Sequence, residues 1–375
     1  VIPFNRANFD GRELEYLQQA ISGGHVSGNG PFTRQVEEEL ERRLGGNSRV
    51  LLTTSCTHAL EMAAVLLDLS PGDEVIVPSY TFVTTAGAFV LHGATPVFVD
   101  VDEATLNIDP AAVEAAITER TRAVVAVHYG GVSAAMDQLV PLCEAHGLTL
   151  IEDNAHGLFG TFAGRPLGTF GALATQSFHE TKNITCGEGG ALVVNNPDLV
   201  SRAEILREKG TDRSRFLRGQ VDKYTWVDLG SSWVLSDLLA GVLLGQLERF
   251  ESIQTRRHVI WDRYASELQD WATQRGVRLP HVPDDRGHTA HVFFLRLQDI
   301  DVRDRFITHL RDRDILAVFH YQPLHQSEMG VKCGRQAGGC PVSEDAADTL
   351  VRLPLYASLT PAEQARVIDA VLSFD

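Results

Sequence analysis

Apolar positions along the chain follow two alternating periods. Short apolar runs at residues 50–54, 74–78, 95–100, 122–128 and 148–153 read as strands. The segments between them, 58–68, 81–91, 110–117 and 136–146, carry helical spacing. Strands that are apolar on both faces and separated by helices predict a mostly parallel sheet with helices on both sides. Residues 172–178 and 190–194 read as a further strand pair, followed by a helix over 197–209. Ahead of this pattern lie two helices. Residues 11–21 place Leu14, Leu17 and Ile21 on one face, and 32–44 form the second. The glycine-rich turn 27–31 between them follows no strand and precedes no Gly-Lys-Ser/Thr, so it is neither a dinucleotide fingerprint nor a P-loop.

Residues 236–268 read as one long helical stretch, with a domain boundary inside it near residue 250. A large domain would span 1–250 and a small α/β domain 251–375. The small domain's expected strands are 291–297 and 315–321, and its expected helices 303–311, 343–351 and 361–373. Thr360-Pro361-Ala362-Glu363 has the form of a capping box with proline at the first helical position.

The chain has 375 residues, 44% of them hydrophobic, which is enough for one large core and a smaller one. A net charge of −16 repels nucleic acid, so no nucleic-acid partner is expected. No apolar run reaches spanning length, so no membrane role is expected either. Five scattered cysteines, and a start without a basic segment and apolar core, read as a cytoplasmic protein with free thiols. The histidines are dispersed, and Cys333 and Cys340 lack tight pairing, so no metal site is expected.

In a parallel sheet ligands gather where strands end. Asp153 closes one strand, Ser55-Cys56-Thr57 opens a helix after another, and Phe82 follows a third. Lys182 lies between the paired strands, with Gly187, Gly189 and Gly190 after it. A lysine and a strand-end carboxylate are what a pyridoxal phosphate site needs: the amine binds the aldehyde, and the acid keeps the pyridine nitrogen protonated. Backbone N–H groups at a helix start, with Thr57 and Ser177 hydroxyls, suit the phosphate. Ser55 to Thr57 serve equally as a plain N-cap. Phe82 could cover the ring or fill the core, and His156 is spaced to reach the ring oxygen. Residues 207–223 carry six basic residues against three acidic ones, either as a solvated loop or as a positive flap for phosphates.

The runs 71–82, 93–102, Glu152-Asp153 with His156, and 177–190 resemble the DegT-type sugar aminotransferases, which are fold type I pyridoxal phosphate enzymes. Within the family, residues 54–57, 179–183, 210–226, 230–233 and 318–321 are most similar to the dTDP-4-amino-4,6-dideoxygalactose transaminases. The resemblance implies an α/β fold, a large mostly parallel sheet domain plus a small C-terminal domain, and a homodimer with shared active sites. It implies Lys182 as the Schiff-base lysine and proton carrier, and Asp153 at the pyridine nitrogen. His156 would contact the ring oxygen, Phe82 would stack on the ring, and Cys56, Thr57 and Ser177 would bind phosphate. Ser232 stands where many relatives carry a partner-subunit asparagine. Arg213, Lys223, Tyr224, His320 and Tyr321 fall on the nucleotide-sugar side. The implied reaction transfers the amino group of L-glutamate to dTDP-4-keto-6-deoxyglucose, with a galacto or gluco product. Amination at C3, or a ligand-sensing protein without catalysis, are the alternatives.

Overall fold

The computed structural model describes residues 1–375. In chain order its strands are β1 (Arg49–Thr53), β2 (Glu74–Pro78), β3 (Thr95–Val99), β4 (Thr121–Val127) and β5 (Thr149–Asp153). Then come β6 (Thr161–Phe162), β7 (Arg165–Pro166), β8 (Leu173–Ser177) and β9 (Gly190–Val194). The last third holds β10 (Arg286–Gly287), β11 (Phe293–Arg296), β12 (Val318–Phe319), β13 (Arg335–Gln336) and β14 (Leu350–Leu353). The large sheet has the order β1-β9-β8-β5-β4-β2-β3-β13. Only β9 runs against its neighbours, pairing antiparallel with both β1 and β8. The C-terminal ends of β1, β8, β5, β4 and β2 therefore share one edge of the sheet.

The strands are buried on both faces, as continuous Val, Ile, Leu and Ala runs require. One face packs on the helices Cys56–Leu66 and Thr84–Val90, around Leu60, Phe89 and Phe98. The other packs on Met136–His146, around Val124, Leu139 and Leu150. The small antiparallel sheet β11-β14-β12 has its own core with the helix Phe250–Arg275, around Tyr264, Phe293 and Phe306. Ile2 belongs to that second core and bridges Ile315. Thr360 and Glu363 form the capping box expected of them.

Four local expectations change. The stretch 236–268 is two helices, Asp237–Glu248 and Phe250–Arg275, broken at Arg249, whose guanidinium pairs with Asp10. Leu350 and Val351 end no helix. They belong to β14, the central strand of the small sheet, where tertiary pairing overrides helical spacing. Residues 315–321 hold only the short strand β12. In the first helix, Glu13–Ser22, the face carrying Leu14 and Ile21 points outward at 77% and 60% exposure. The buried face is Glu13, Tyr16 and Ala20, with Tyr16 donating to Glu248 and Glu13 accepting from Gln246.

Candidate active site

The strand-end edge gathers the expected residues. Asp153 closes β5, buried, and its register partner on β8 is Thr175. One carboxylate oxygen accepts from Thr85 Oγ1 at 2.8 Å, and the other from Ala155 N at 3.2 Å. Thr85 is held in turn by Thr81 Oγ1 at 3.0 Å. Burial pushes the Asp153 pKa up, against the pull of these hydrogen bonds and of Lys182. A buried carboxylate in that condition gains from a cationic partner such as a protonated pyridine nitrogen.

Lys182 follows β8 in a tight turn, its N–H donating to His179 O at 2.9 Å. Burial lowers its ammonium to about 8, more than the nearby Asp153 carboxylate raises it. Cys56 reaches across to β8, its Sγ donating to Thr175 Oγ1 at 3.4 Å. Lys182, Asp153 and Cys56 are thus electrostatic neighbours on one edge of the sheet.

The helix Cys56–Leu66 starts at that edge. Ser55 caps it, Oγ accepting from His58 N at 3.1 Å. The N–H groups of Cys56 and Thr57 donate to nothing in the chain. Gly190 packs against the helix start: a Cβ there would lie 2.3 Å from Cys56 N, so only glycine lets β9 come this close. Ser177 is the register partner of Gly190, buried, with no hydrogen bond from its hydroxyl to the chain. Free N–H groups at a helix start and an uncommitted hydroxyl fit a phosphate.

An aromatic cluster roofs the edge. His156 stacks on His291 with centroids 4.2 Å apart, accepts from Gly130 N at 3.3 Å, and lies 3.4 Å from the Tyr321 hydroxyl. Burial holds His156, His291 and His320 well below the usual imidazole range, so all three are neutral near pH 7. His320 stacks on Tyr321 and takes a 2.6 Å hydrogen bond with the Tyr129 hydroxyl. Phe82 is 53% exposed, its ring 6.3 Å from that of Tyr321.

Arg213, Lys223, Tyr224 and Ser232 do not join this group within one chain. Arg213 starts the short helix Arg213–Leu217, Tyr224 packs on Phe216 at 5.8 Å, and Ser232 bridges Glu208. All four are exposed, and none bonds to the Lys182 cluster. Other residues of the edge escape sequence reasoning. Thr85 lies 68 positions from the carboxylate it holds. Arg352 sits on β14, donates to Phe319 O at 3.0 Å, and its charge depresses Lys182, His156 and His320. Asn183 had a visible signal, since it adjoins Lys182; it donates to Thr289 O at 2.8 Å and bonds His291 Nδ1 at 2.9 Å.

The fold and this edge define a fold type I aminotransferase built around a lysine and a buried aspartate. The model of the DegT/DnrJ/EryC1/StrS aminotransferase family matches residues 8–372, and the chain belongs to that family. It is 34% identical over 382 residues to the spore coat polysaccharide biosynthesis protein SpsC of Bacillus subtilis (strain 168), covering 99% of this chain and 96% of that protein. Among solved structures it resembles the aminotransferase TlmJ from Streptoalloteichus hindustanus, with TM-score 0.91, 31% identity, and 100% and 98% of the two chains covered. It also resembles the sugar aminotransferase Spr1654 from Streptococcus pneumoniae in its PLP form, with TM-score 0.91, 26% identity, and 100% and 98% covered. The chain is a pyridoxal-phosphate-dependent sugar aminotransferase. No helix is long and apolar enough to cross a membrane.

Proposed function

We propose that this aminotransferase moves the amino group of L-glutamate to C4 of dTDP-4-keto-6-deoxy-D-glucose, giving 2-oxoglutarate and a dTDP-4-amino-4,6-dideoxyhexose. The observation that supports the chemistry is the placing of Lys182 after β8 on the same strand-end edge as Asp153 and Cys56. When bound, pyridoxal phosphate supplies the electron sink for the carbon that loses a proton. Lys182 Nζ is the base that removes the Cα proton of glutamate, and later delivers a proton on the sugar side. Asp153, fixed by Thr85 and Ala155, holds negative charge opposite the pyridine nitrogen. The N–H groups of Cys56 and Thr57 and the Ser177 hydroxyl hold the phosphate. Phe82 would cover the ring, and His156 would contact its oxygen.

The sugar assignment rests on the resemblance of runs 54–57, 179–183, 210–226, 230–233 and 318–321; His320 and Tyr321 of the last join the roof of the site. We assign these two, with Arg213, Lys223 and Tyr224, to the nucleotide-sugar. The chain would act in the cytoplasm as a homodimer, divided near residue 250. Ser232 and the basic flap would then reach the phosphate and the nucleotide of the partner subunit's site. The outward stripe of Leu14 and Ile21, with exposed Trp226 and Leu229, supports such pairing, since a lone chain gains nothing from displaying them.

NMR of the product tests the reading. Wild-type protein with glutamate and the keto sugar should give an amine at C4. Lys182→Ala should lose roughly 10²–10⁴-fold or more in turnover. No product from the 4-keto sugar, with turnover of the 3-keto isomer instead, would overturn the regiochemistry, and an active Lys182→Ala variant would overturn the mechanism.

A further inference from the structure

The histidines are dispersed in sequence, yet the fold gathers two of them with a carboxylate away from the lysine edge. His258 and Asp262 lie one turn apart on the helix Phe250–Arg275, and His288 arrives from the loop after β10. One potential ligand atom from each lies within 4.8 Å of the other two. The two imidazoles meet edge to face at 4.7 Å, and Trp261 closes one side at 4.6 Å from His288. We propose that His258, Asp262 and His288 bind a borderline divalent cation of the zinc type.

Two imidazoles and one carboxylate are an ordinary donor set for such an ion, with a fourth position left for water. Tetrahedral bonds of about 2.1 Å put donor atoms about 3.4 Å apart, so small side-chain rotations close the 4.8 Å cluster. Each ring now accepts one hydrogen bond, which an ion bound at that nitrogen would replace. Gln254 Nε2 lies 3.2 Å from His258 Nε2, and Ala290 N donates to His288 Nδ1 at 3.3 Å. The adjacent cation, Arg257, is turned away, donating to Ala290 O at 3.1 Å and His291 O at 2.7 Å.

The site ties the long helix to a loop that supports the catalytic edge. The residue after His288, Thr289, donates to His156 O at 2.7 Å. Its own carbonyl accepts from Asn183 and Gln254. A bound ion would therefore clamp the loop that carries Thr289 and His291.

Equilibrium dialysis of the holoenzyme against zinc chloride, followed by elemental analysis, tests this. Wild type should retain one zinc per chain more than a His258→Gln/His288→Gln double variant. Each single histidine variant should bind more than about tenfold more weakly. Hydrogen exchange should slow in residues 286–291 on adding zinc to wild type and stay unchanged in the double variant. The cofactor's visible band, equal in all variants, shows that they fold. Equal zinc in wild type and double variant would overturn the site, as would zinc binding without protection of that loop. No retained zinc would overturn it too, leaving an aromatic packing cluster.

Discussion

Lys182 shows how burial prepares a side chain. An ammonium with the ordinary value of 10.5 is neutral about once in 3,000 at pH 7; lowered to about 8, roughly a tenth is. Uptake of pyridoxal phosphate by the apoenzyme needs that neutral amine. Its rate should rise with pH up to about 8 and then level off, as followed by stopped-flow absorbance. A rate still climbing tenfold per unit above pH 9 would mean that Lys182 keeps its ordinary value. The sequence made Lys182 and Asp153 legible, because a strand-end acid and a lysine before glycines form a local pattern. Thr85 and Arg352 were not legible. Each reaches the site only through sheet order, from segments far along the chain.

The close packing at the start of the helix Cys56–Leu66 depends on two elements meeting correctly. Strand β9 runs antiparallel between β1 and β8 and sets Gly190 against the helix start. Gly190→Ala would drive a methyl group into Cys56 N and Ser55 O. The expected cost is about 1–3 kcal/mol of stability, with weaker cofactor retention. Denaturant midpoints and the visible spectrum after gel filtration measure both. An alanine variant as stable as wild type and fully yellow would contradict the close approach. The core strands and most helices could be read from apolar periodicity, since two-sided burial leaves unbroken apolar runs. Strand β14 could not. Leu350 to Leu353 adjoin a helix and carry no alternation, and only pairing with β11 and β12 makes them a strand.

A mismatch between sequence and packing points to the assembly. Leu14, Leu17 and Ile21 share one face of the helix, but the single chain buries the adjacent face, one residue back along the chain. The flap around Trp226, 76% exposed, is likewise open. Sedimentation should therefore give twice the 41.1 kDa of one chain. Leu14→Asp with Ile21→Asp should shift the protein towards monomer, and a wild-type monomer that keeps full activity would contradict shared sites. Within one chain Arg213, Lys223 and Tyr224 are exposed, so the role proposed for the flap depends on a partner subunit.

The central claim is that Lys182 and Asp153 form a working transamination site that accepts glutamate and then the 4-keto sugar. The most direct measurement is the visible absorbance of the purified, pyridoxal-phosphate-loaded protein. The band should bleach on adding L-glutamate and return on adding dTDP-4-keto-6-deoxyglucose. A band that glutamate leaves unchanged would contradict the donor half of the account, and one that bleaches but ignores the sugar would contradict the acceptor.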